Sequence, residues 1–330
     1  MNKKILITGG AGYIGSHTAS ELLDEGFSVI IADDLSAGSL ESVDSRAVFY
    51  KVDVTDEKAF FDVLSQEKVD AVLHCAGQIV VSESIDNPAK YYMENVAGMT
   101  KVLNTLAKAE VKKIMFSSTA SVYGNNCFNE KATELTTVAP VNPYAETKYV
   151  GERLLYWMAK RYDWQYVVFR YFNVAGAMID GSNGLRVEKP THIIPNANKA
   201  ALGEINQLNI FGNDYPTKDG TCVRDYIHVL DLARAHVLGM KYLFEQEESN
   251  LFNLGSDQGY SVKEIVDKVI ELSGVQFNYQ YSERRAGDPA SVLADSTKAK
   301  DILKWRPEYS LEEIILSDLN WRKNNFGRKI

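Results

Sequence analysis

The stretch "ITGGAGYIGSH", residues 7–17, carries the strongest local signal for the architecture of this chain. It ends a short apolar run and opens a helical pattern, and Gly9, Gly12 and Gly15 are spaced as GxxGxxG. Glycines at a strand-to-helix turn let backbone N–H groups and the helix N-terminus approach a pyrophosphate closely. The triplet alone is a weak signal, but its place between a strand and a helix strengthens it. The sequence therefore predicts a dinucleotide-binding turn.

Outward from this turn, apolar runs alternate with helical patterns through the first half of the chain. The predicted strands are "KILITGG", "FSVIIAD", "AVFYKVD", "DAVLHCAG", "KIMFSS" and "YVVFRYF". Segments such as "SHTASELLDEG" and "NVAGMTKVLNTLAKAE" lie between them, with apolar residues at helical spacing. Continuous apolar strands alternating with helices indicate a parallel sheet covered on both faces. We expect an α/β fold with a doubly wound parallel (Rossmann) sheet.

The pattern changes after about residue 173. A loop rich in Gly, Asn and Asp, "GAMIDGSNG", is followed by shorter helices and strands. We expect residues 1–173 to form the Rossmann domain, and residues 174–330 to form mainly a second, smaller C-terminal α/β lobe, interleaved with the first. Such a lobe would pack on the carboxyl edge of the sheet and close a cleft.

Composition limits the partners. The 330 residues carry a net charge of −8, which disfavours binding to nucleic acid or to a membrane surface. Cys75, Cys127 and Cys222 form no CxxC pair and have no obvious His partners, so we expect free thiols and no metal site. The apolar run near the N-terminus is too short for a signal peptide, and no later run is long enough to span a membrane, so a cytoplasmic protein is expected.

Two carboxylates end the second predicted strand. Asp33 and Asp34 stand where an acid can bind the ribose hydroxyls of adenosine. No arginine stands beside them to neutralise a 2′-phosphate, so NAD is favoured over NADP. The alternative is an ordinary acidic loop after a strand.

The segment "NPYAETKYVGE", residues 142–152, places Tyr144 at the start of a helix with Lys148 one turn later. Tyr156 and Lys160 have the same spacing, so spacing alone does not distinguish the pairs. The fifth predicted strand ends in "FSSTASVYG", at the sheet edge where α/β proteins open their cleft. Because Tyr144 follows Pro143 at the helix start, it can face that cleft. We therefore expect only the first pair to do chemistry.

The chemistry expected of this pair is acid–base catalysis. A tyrosine loses its proton near pH 10, so it is a weak base unless its anion is stabilised. The ammonium of Lys148 and a positive nicotinamide ring would favour the phenolate. The phenolate could then take a proton from a sugar hydroxyl as hydride leaves the same carbon for NAD, with Thr119 hydrogen-bonded to that oxygen.

Together these residues resemble the extended short-chain dehydrogenase/reductase family, and most closely its UDP-glucose 4-epimerase branch. The resemblance covers nearly the whole chain. It includes "AGQIVVSES", "YYMENVAGM", "SSTASVYG", "NPYAETK", "RYFNVAGA", "IFGNDYPTKDGTCVRDYIHVLDLA" and "RRAGDPA", of which the run ending in "VRDYIHV" is the most specific. Dehydratase relatives usually carry an Asp-Glu pair where this chain has Ala120 and Ser121.

The resemblance implies a role for each matching position. Thr119, Tyr144 and Lys148 would be catalytic. The residues implied for NAD are Gly9, Gly12, Tyr13, Ile14, Gly15, Asp33, Asp34, Leu35, Ser36, Ala37, Gly38, Asp53, Val54, Cys75, Ala76, Gly77, Asn95, Lys148 and Phe172. Those implied for the UDP-sugar are Asn173, Arg224, Tyr226 and Arg285 near the diphosphate, Phe211 at the uracil, Asp288 at the ribose, and Thr119, Tyr144 and Val292 at the sugar.

Some of these positions have simpler interpretations. Arg224 and Asp225 could be a surface ion pair, Asp288 could shape a turn before Pro289, and Phe211 could be a core residue. The joint occurrence of these residues favours the site.

Four positions depart from well-known family members. Ile79 replaces a frequent lysine and Cys75 a frequent phenylalanine, so cofactor retention could be weaker. His192 replaces a frequent asparagine, and its role stays open. Val292 stands where some members have tyrosine, from which we hypothesise that UDP-linked N-acetylhexosamines also fit.

The implied reaction interconverts UDP-glucose and UDP-galactose through a 4-keto intermediate, with NAD regenerated in each cycle. The alternatives are an epimerase of another UDP-sugar, such as a UDP-uronic acid, or a non-catalytic NAD-binding sensor. A homodimer is expected from the resemblance, paired through helices at residues 88–109 and 144–163.

Overall fold

The computed structural model describes residues 3–126, 130–187, 189–246, 248–285 and 288–326. Its strands are β1 (Lys4–Thr8), β2 (Ser28–Asp33), β3 (Val48–Lys51), β4 (Ala71–His74), β5 (Lys113–Ser117), β6 (Gln165–Tyr171), β7 (Asn173–Ala175), β8 (Leu208–Phe211), β9 (Val223–His228), β10 (Asn250–Leu254), β11 (Gly259–Ser261), β12 (Tyr279–Ser282) and β13 (Ser291–Val292).

The α-helices are α1 (Tyr13–Asp24), α2 (Glu57–Glu67), α3 (Val81–Asp86), α4 (Pro88–Tyr91), α5 (Gly98–Lys108), α6 (Pro143–Tyr162), α7 (Ile193–Ala201), α8 (Val229–Glu245), α9 (Val262–Ser273), α10 (Thr297–Ile302) and α11 (Leu311–Asn325). Two 3₁₀ helices span Leu40–Ser42 and Ala120–Tyr123, and a π-helical segment spans Tyr92–Ala97.

A parallel sheet forms the centre of the described structure. Its seven strands follow the order β10-β6-β5-β4-β1-β2-β3, and every neighbouring pair is parallel. The order reverses between β1 and β4, and in such sheets ligands bind in the crevice outside the carboxyl ends of the strands at this point. The doubly wound α/β fold predicted from the sequence is confirmed.

Side-chain alternation explains the two layers of helices. Ile5 and Ile7 of β1 join the hydrophobic cluster that contains residues of α1 and α8, whereas Leu6 joins the cluster that contains residues of α2, α5 and α6. All three side chains are fully buried, and each such burial contributes about 1.5–3 kcal/mol. The sheet is therefore buried on both faces, as its continuous apolar strands predict.

The second half of the chain contributes to both parts of the molecule. It supplies a smaller sheet in which β9 pairs with β7, β11 and β13, and a parallel pair of β8 with β12. A separate hydrophobic cluster fills the space between these strands and α7, α9 and α11. β10 pairs with β6 in the large sheet, and α8 packs against α1, so the second half also completes the layers around the large sheet.

The helix pattern at residues 88–109 is interrupted in the structure. It divides into α4, the π-helical segment and α5. Asn95 lies in the π-helical segment and bonds both backbone groups of Gln78, with its Oδ1 accepting from the N–H at 2.8 Å and its Nδ2 donating to the carbonyl at 3.0 Å. Widened turns of this kind are frequent at functional sites.

Within the described part of the chain, no helix is both long and apolar enough to cross a membrane. In the same residues, no group of three or more His, Cys, Asp or Glu side chains could hold a metal ion. Cys75 and Cys222 are free thiols, as predicted, and Cys127 lies outside the described residues.

Candidate active site

The glycine turn after β1 is tightly packed. Gly9 has a φ of +68°, and its N–H donates to the carbonyl of Ala32 at 3.0 Å. A Cβ atom on Gly15 would lie 2.4 Å from the carbonyl oxygen of Gly9, so a larger residue would force the backbone apart. Gly12 is the N-cap of α1 and has no side chain to cap the helix. The backbone N–H groups of the first turn are therefore available to bind an anion. These features fit a dinucleotide pyrophosphate.

Tyr13, the first residue of α1, forms a hydrogen bond that connects the glycine turn with the loop after β7. Its hydroxyl donates to the carbonyl of Gly176 at 2.6 Å. Burial raises the pKa of this phenol well above its ordinary value. Ile14, the next residue, packs against the hydrophobic cluster under α1 and α8.

Asp33 connects β2 to the glycine turn. Its carboxylate accepts hydrogen bonds from the N–H groups of Ala11 at 3.0 Å and Leu35 at 2.8 Å. Burial raises the pKa of Asp33, and the two N–H groups act in the opposite direction. Asp34 is more exposed and accepts from the N–H and hydroxyl of Ser36.

The segment that follows Asp34 lies beside the glycine turn. A Cβ atom on Gly38, the residue after Ala37, would lie 2.9 Å from the backbone of Ala11. Asp53, after β3, accepts from the N–H of Thr55 at 2.8 Å, and Val54 is buried in the cluster under α2 and α5. The structure therefore brings the residues after β1 and β2 into one group at the carboxyl edge of the sheet.

The end of β4 approaches the catalytic helix. A Cβ atom on Gly77 would lie 2.9 Å from Oδ1 of Asn95 and 3.9 Å from Nζ of Lys148. Asn95 in turn donates to the hydroxyl of Thr147 at 3.1 Å. Cys75 lies in the same group, with its Sγ 3.2 Å from Oγ of Ser117, and burial raises its pKa to about 11. This thiol is therefore a weakly acidic packing group.

The start of α6 fixes the direction of Tyr144. Asn142 is the N-cap and accepts from the N–H of Ala145 at 2.9 Å, and Pro143 occupies the first helical position. Tyr144 and Lys148 follow on one helix face, and both are buried. The ammonium of Lys148 donates to the carbonyl of Ser117 at 2.9 Å. Burial lowers the pKa of this ammonium to about 8.

The expectation that Lys148 would lower the pKa of Tyr144 is wrong for the chain by itself. Burial raises the pKa of Tyr144, and a hydrogen bond with Thr119 only partly opposes this effect. The physical reason is that the ammonium is directed to Ser117 and is itself destabilised by burial. Thr119 is the N-cap of the following 3₁₀ helix and accepts from the N–H of Ser121 at 3.2 Å.

The second tyrosine–lysine pair is a surface feature. Tyr156 is half-buried, Lys160 is exposed, and the lysine Nζ lies 5.3 Å from the centre of the tyrosine ring. The two pairs therefore differ in burial, and the catalytic role of the first pair stays a prediction.

A cavity of about 260 Å³ lies between β8 and the start of α7. Phe211, Arg285 and Asp288 line it, and the guanidinium of Arg285 lies 4.0 Å from the centre of the Phe211 ring. Arg285 also donates to the carbonyl of Thr191 at 3.3 Å. His192, the N-cap of α7, follows Thr191 in the chain and is exposed.

The smaller sheet brings the remaining predicted substrate residues together. Asn173 on β7 is in register with Tyr226 on β9, and Val292 on β13 is in register with Arg224. Nη2 of Arg224 lies 3.7 Å from the carboxylate of Asp288, so Arg224 reaches the cavity residue rather than forming a separate surface pair.

Phe172 connects the two halves of the site. It lies in one hydrophobic cluster with Val292 and with Ala120 and Tyr123 of the 3₁₀ helix after Thr119. Val292, which is predicted to contact the sugar, therefore lies beside the 3₁₀ helix that follows Thr119. Ile79, in contrast, is more than half exposed.

Sequence reasoning missed three parts of the site. The lining of the cavity by Thr191, Ile193 and Cys222 comes from separate segments and has no local signal. The contacts of Asn95 depend on the π-helical segment. Glu152, which is buried and paired with Arg170, could have been found because it follows Lys148 by four residues on the same helix face.

Known proteins resemble this chain in sequence and in fold. A family model described as the NAD dependent epimerase/dehydratase family matches residues 5–255. The UDP-glucose 4-epimerase of Lactobacillus helveticus is 43% identical over 325 residues, covering 98% of each chain. The crystal structure of the enzyme from Bifidobacterium longum in complex with NAD+ and UDP has a TM-score of 0.94 at 36% identity, covering 98% of this chain and 99% of that one.

A further solved structure widens the range of sugars among the relatives. The UDP-Glc/GlcNAc 4-epimerase of Campylobacter jejuni has a TM-score of 0.85 at 40% identity, covering 98% of this chain and 100% of that one. These matches extend over nearly the full length and confirm the resemblance inferred from the sequence. The chain belongs to the NAD dependent epimerase/dehydratase family.

Proposed function

We propose that this chain is an NAD-dependent UDP-hexose 4-epimerase that interconverts UDP-galactose and UDP-glucose. The observation that carries the proposal is the burial of Tyr144 and Lys148 on one helix face, with Nζ of Lys148 close to Gly77 after β4. Relatives of the same length that carry the name UDP-glucose 4-epimerase support it. A non-catalytic sensor has no need for a buried tyrosine and lysine on one helix face.

In the proposed reaction the phenolate of Tyr144, which the positive charges of Lys148 and of bound NAD would favour, takes the proton from the hydroxyl at C4 of the sugar. When bound, NAD would supply the hydride acceptor and donor for this carbon, held at its nicotinamide end by Gly77, Asn95 and Lys148. Thr119 would hydrogen-bond the phenolic oxygen and hold it in line, which agrees with its effect of lowering the pKa of Tyr144. Lys148 keeps a positive charge close to the site, anchored on the carbonyl of Ser117.

The second part of the proposal is a fixed nucleotide. Epimerisation requires the 4-keto sugar to turn over while UDP stays in place. Phe211, Arg285 and Asp288 would hold the uridine in the cavity, and Arg224 would meet the diphosphate. Asn173 and Tyr226, which are in register on adjacent strands, would bind beside it. The Bifidobacterium longum relative was solved with NAD+ and UDP, which supports this division.

The cofactor would lie along the edge formed by the residues after β1, β2 and β4. Asp33 would bind the adenosine ribose, and the uncapped start of α1 would bind the pyrophosphate. Asp53 and Val54 would contact the adenine, and Gly77, Asn95 and Lys148 the nicotinamide end. The division into residues 1–173 for NAD and 174–330 mainly for the UDP-sugar belongs to this proposal.

The range of sugars is also part of the proposal. Val292 lies in a cluster with Phe172 and Tyr123, where it fills less space than a tyrosine would. The Campylobacter jejuni relative carries both sugars in its name, UDP-Glc and UDP-GlcNAc. We therefore propose that UDP-linked N-acetylhexosamines are accepted in addition to UDP-glucose and UDP-galactose.

For the assembly we propose a homodimer, acting in the cytoplasm. Exposed aromatic and apolar side chains lie on the π-helical segment and on α6: Tyr92, Met93, Trp157 and Tyr162. Large exposed apolar patches mark protein interfaces, and these side chains would contribute to one.

The decisive experiment is to incubate purified protein with UDP-galactose, without added NAD, and to separate the nucleotide sugars by chromatography. Formation of UDP-glucose supports both the reaction and a retained cofactor. Formation only after NAD is added supports the reaction with weak retention, as Ile79 and Cys75 suggest. No UDP-glucose under either condition, from folded protein that binds NAD, would refute the proposed reaction.

A further inference from the structure

Glu152 extends the row of buried residues on the catalytic helix. It follows Lys148 by one turn and Tyr144 by two, so the three side chains share a helix face. Its carboxylate accepts a hydrogen bond from Oγ of Ser118 at 2.5 Å. It also accepts two from Arg170 on β6, from Nε at 2.9 Å and from Nη2 at 2.5 Å. This two-bond geometry fixes the relative orientation of the helix and the strand.

The contacts continue from Arg170 to the segment after β5. Nη1 of Arg170 donates to the hydroxyl of Tyr123 at 3.1 Å, and that hydroxyl donates to Oδ1 of Asn253 on β10 at 2.6 Å. Nδ2 of Asn253 donates to the carbonyl of Ala132 at 2.8 Å. We call Ser118, Glu152, Arg170, Tyr123 and Asn253 the buried network. It joins α6, the end of β5, the 3₁₀ helix, β6 and β10.

Thr119 lies between two anchored members of this network. Ser118 precedes Thr119, and its hydroxyl donates to Glu152. The N–H of Ser118 also donates to the carbonyl of Phe169 at 2.8 Å. Tyr123, at the end of the 3₁₀ helix that Thr119 caps, is held by Arg170 and Asn253. Both anchors of the segment around Thr119 lead back to Glu152 on α6, through Ser118 and through Arg170. Because Tyr144 lies on the same helix, these contacts set the position of Thr119 relative to Tyr144.

Stability alone is a weak reason for a buried ion pair. The cost of removing two charges from water offsets much of their attraction, and apolar replacements of such pairs are often tolerated. A paired carboxylate and guanidinium do, however, impose one orientation that apolar packing does not. Glu152 and Arg170 are both nearly inaccessible to solvent, so the pair is well placed to act by orientation.

We propose that Glu152 is a positioning residue for the acid–base chemistry of Tyr144. Through Ser118 and Arg170 it fixes the segment that carries Thr119 against the catalytic helix. This inference rests on the proposed function, because Thr119 and Tyr144 have their assigned roles only if the chain is an epimerase. Glu152 itself contacts neither substrate nor cofactor in this assignment.

The test uses Ser118→Ala, which removes the hydrogen bond to Glu152 and leaves its pairing with Arg170 intact. Ser118→Ala is measured alone and combined with Thr119→Ala, and kcat and KM for UDP-galactose are compared with the wild type. If the network acts through Thr119, Ser118→Ala lowers kcat on the order of fivefold alone and less than about twofold in the Thr119→Ala background, with KM unchanged.

Two controls make the result specific. Ser20→Ala removes a serine–carboxylate hydrogen bond, to Asp44, outside the network and should leave kcat unchanged. Glu152→Gln, which weakens both contacts of the carboxylate, should lower kcat more than Ser118→Ala, whereas Glu57→Gln, which breaks an exposed pair with Lys108, should not.

Three outcomes would overturn the inference: wild-type kcat in Ser118→Ala, an equal loss in both backgrounds, or wild-type kcat in Thr119→Ala. Absence of epimerisation by the wild-type protein would instead refute the proposed function.

Discussion

The ammonium nitrogen of Lys148 lies 2.9 Å from the backbone carbonyl oxygen of Ser117, to which it donates a hydrogen bond. Ser117 ends β5, and the ring of Phe116, the residue before it, has its centre 5.1 Å from the same ammonium. The central sheet therefore holds the lysine in place through a neutral carbonyl and an aromatic face. A buried ammonium with such partners retains its charge less readily than one paired with a carboxylate.

The pH dependence of turnover follows from this contact. Burial lowers the pKa of Lys148 to about 8, so the charged form dominates below that pH and the neutral amine above it. Turnover that depends on the positive charge should fall as pH rises through about 8. Rate measurements on both sides of this pKa would show the decline, and the low residual rate of Lys148→Met should lack it. A wild-type kcat that stays constant well above the pKa would contradict the assignment.

Replacing the hydroxyl of Tyr144 should remove the chemical step and spare binding. Phenylalanine keeps the buried ring but cannot transfer a proton, so we expect Tyr144→Phe to lower kcat by about 10²–10⁴-fold. The affinity for UDP, measured by calorimetry, should change little because Phe211 and Arg285 line a separate cavity. Tyr156→Phe, on the same helix but at the surface, should keep the wild-type rate. Comparable rates for the two variants would show that Tyr144 is not the base.

Much of the fold could be predicted because its signals are local. The strands β1 to β6 are apolar runs bounded by helical patterns, and the glycine turn stands directly between β1 and α1. The placement of Tyr144 also followed from local features, since Pro143 marks the start of α6. The remaining strand of the central sheet, β10 at its edge, was not predicted. It carries polar residues such as Asn250 and Asn253, and its pairing with β6 depends on contacts distant in sequence.

The parts of the site that escaped prediction depend on burial or on distant segments. The direction of the pKa shift at Tyr144 is set by how deeply the phenol is buried, which spacing does not reveal. The buried network joins residues far apart in the chain, such as Tyr123 and Asn253. The π-helical segment spans only 6 residues, and its sole buried side chain is the polar Asn95, so no apolar pattern marks the wider turn.

The glycine turn gives a prediction for cofactor binding. A Cβ atom at position 15 would lie 2.4 Å from a backbone oxygen, which cannot move without opening the turn. Gly15→Ala should therefore lower the free energy of unfolding by about 1–3 kcal/mol and weaken NAD binding at least about tenfold. Thermal denaturation with and without NAD measures both effects.

A control substitution at another glycine shows whether the effect of Gly15→Ala comes from the steric clash or from replacing any glycine. Gly98 begins α5, and a Cβ atom there would lie 3.3 Å from its nearest neighbour, the side-chain Cγ2 of Thr55. Gly98→Ala should therefore bind NAD like the wild type. Equal NAD affinities for Gly15→Ala and Gly98→Ala would show that the turn does not hold the cofactor.

Asp225 lies at the junction of the two sheets. Its fully buried carboxylate accepts hydrogen bonds from the N–H groups of Ser256 at 2.7 Å, Asp257 at 3.0 Å and Ala294 at 3.2 Å. The segment that contains Ser256 follows β10 of the large sheet, whereas Asp225 belongs to β9 of the smaller one. Asp225 therefore fixes the strand that carries both Arg224 and Tyr226.

Asp225→Asn should disturb nucleotide binding more than chemistry. The amide nitrogen of asparagine cannot accept a hydrogen bond, so a buried N–H group loses its partner at a cost of about 1–3 kcal/mol. We expect KM for UDP-galactose to rise about tenfold with kcat within about twofold of the wild type, because Arg224 and Tyr226 shift together. Steady-state kinetics measures both constants. Asp267→Asn, which removes an exposed pairing with Lys263, serves as the control, and an unchanged KM in Asp225→Asn would refute the positioning of β9.

The last prediction concerns the choice of sugar. Val292 is 9% exposed and packs with Phe172 and Tyr123, so a tyrosine at this position would fill space beside the proposed sugar site. Val292→Tyr should lower kcat/KM for UDP-N-acetylglucosamine by about 10–200-fold relative to UDP-glucose, because the N-acetyl group is the larger substituent that the pocket would exclude. Val275→Tyr, in an exposed loop, should leave the ratio unchanged. If the wild-type chain turns over UDP-glucose but not UDP-N-acetylglucosamine, valine at this position is not sufficient to admit the larger sugar.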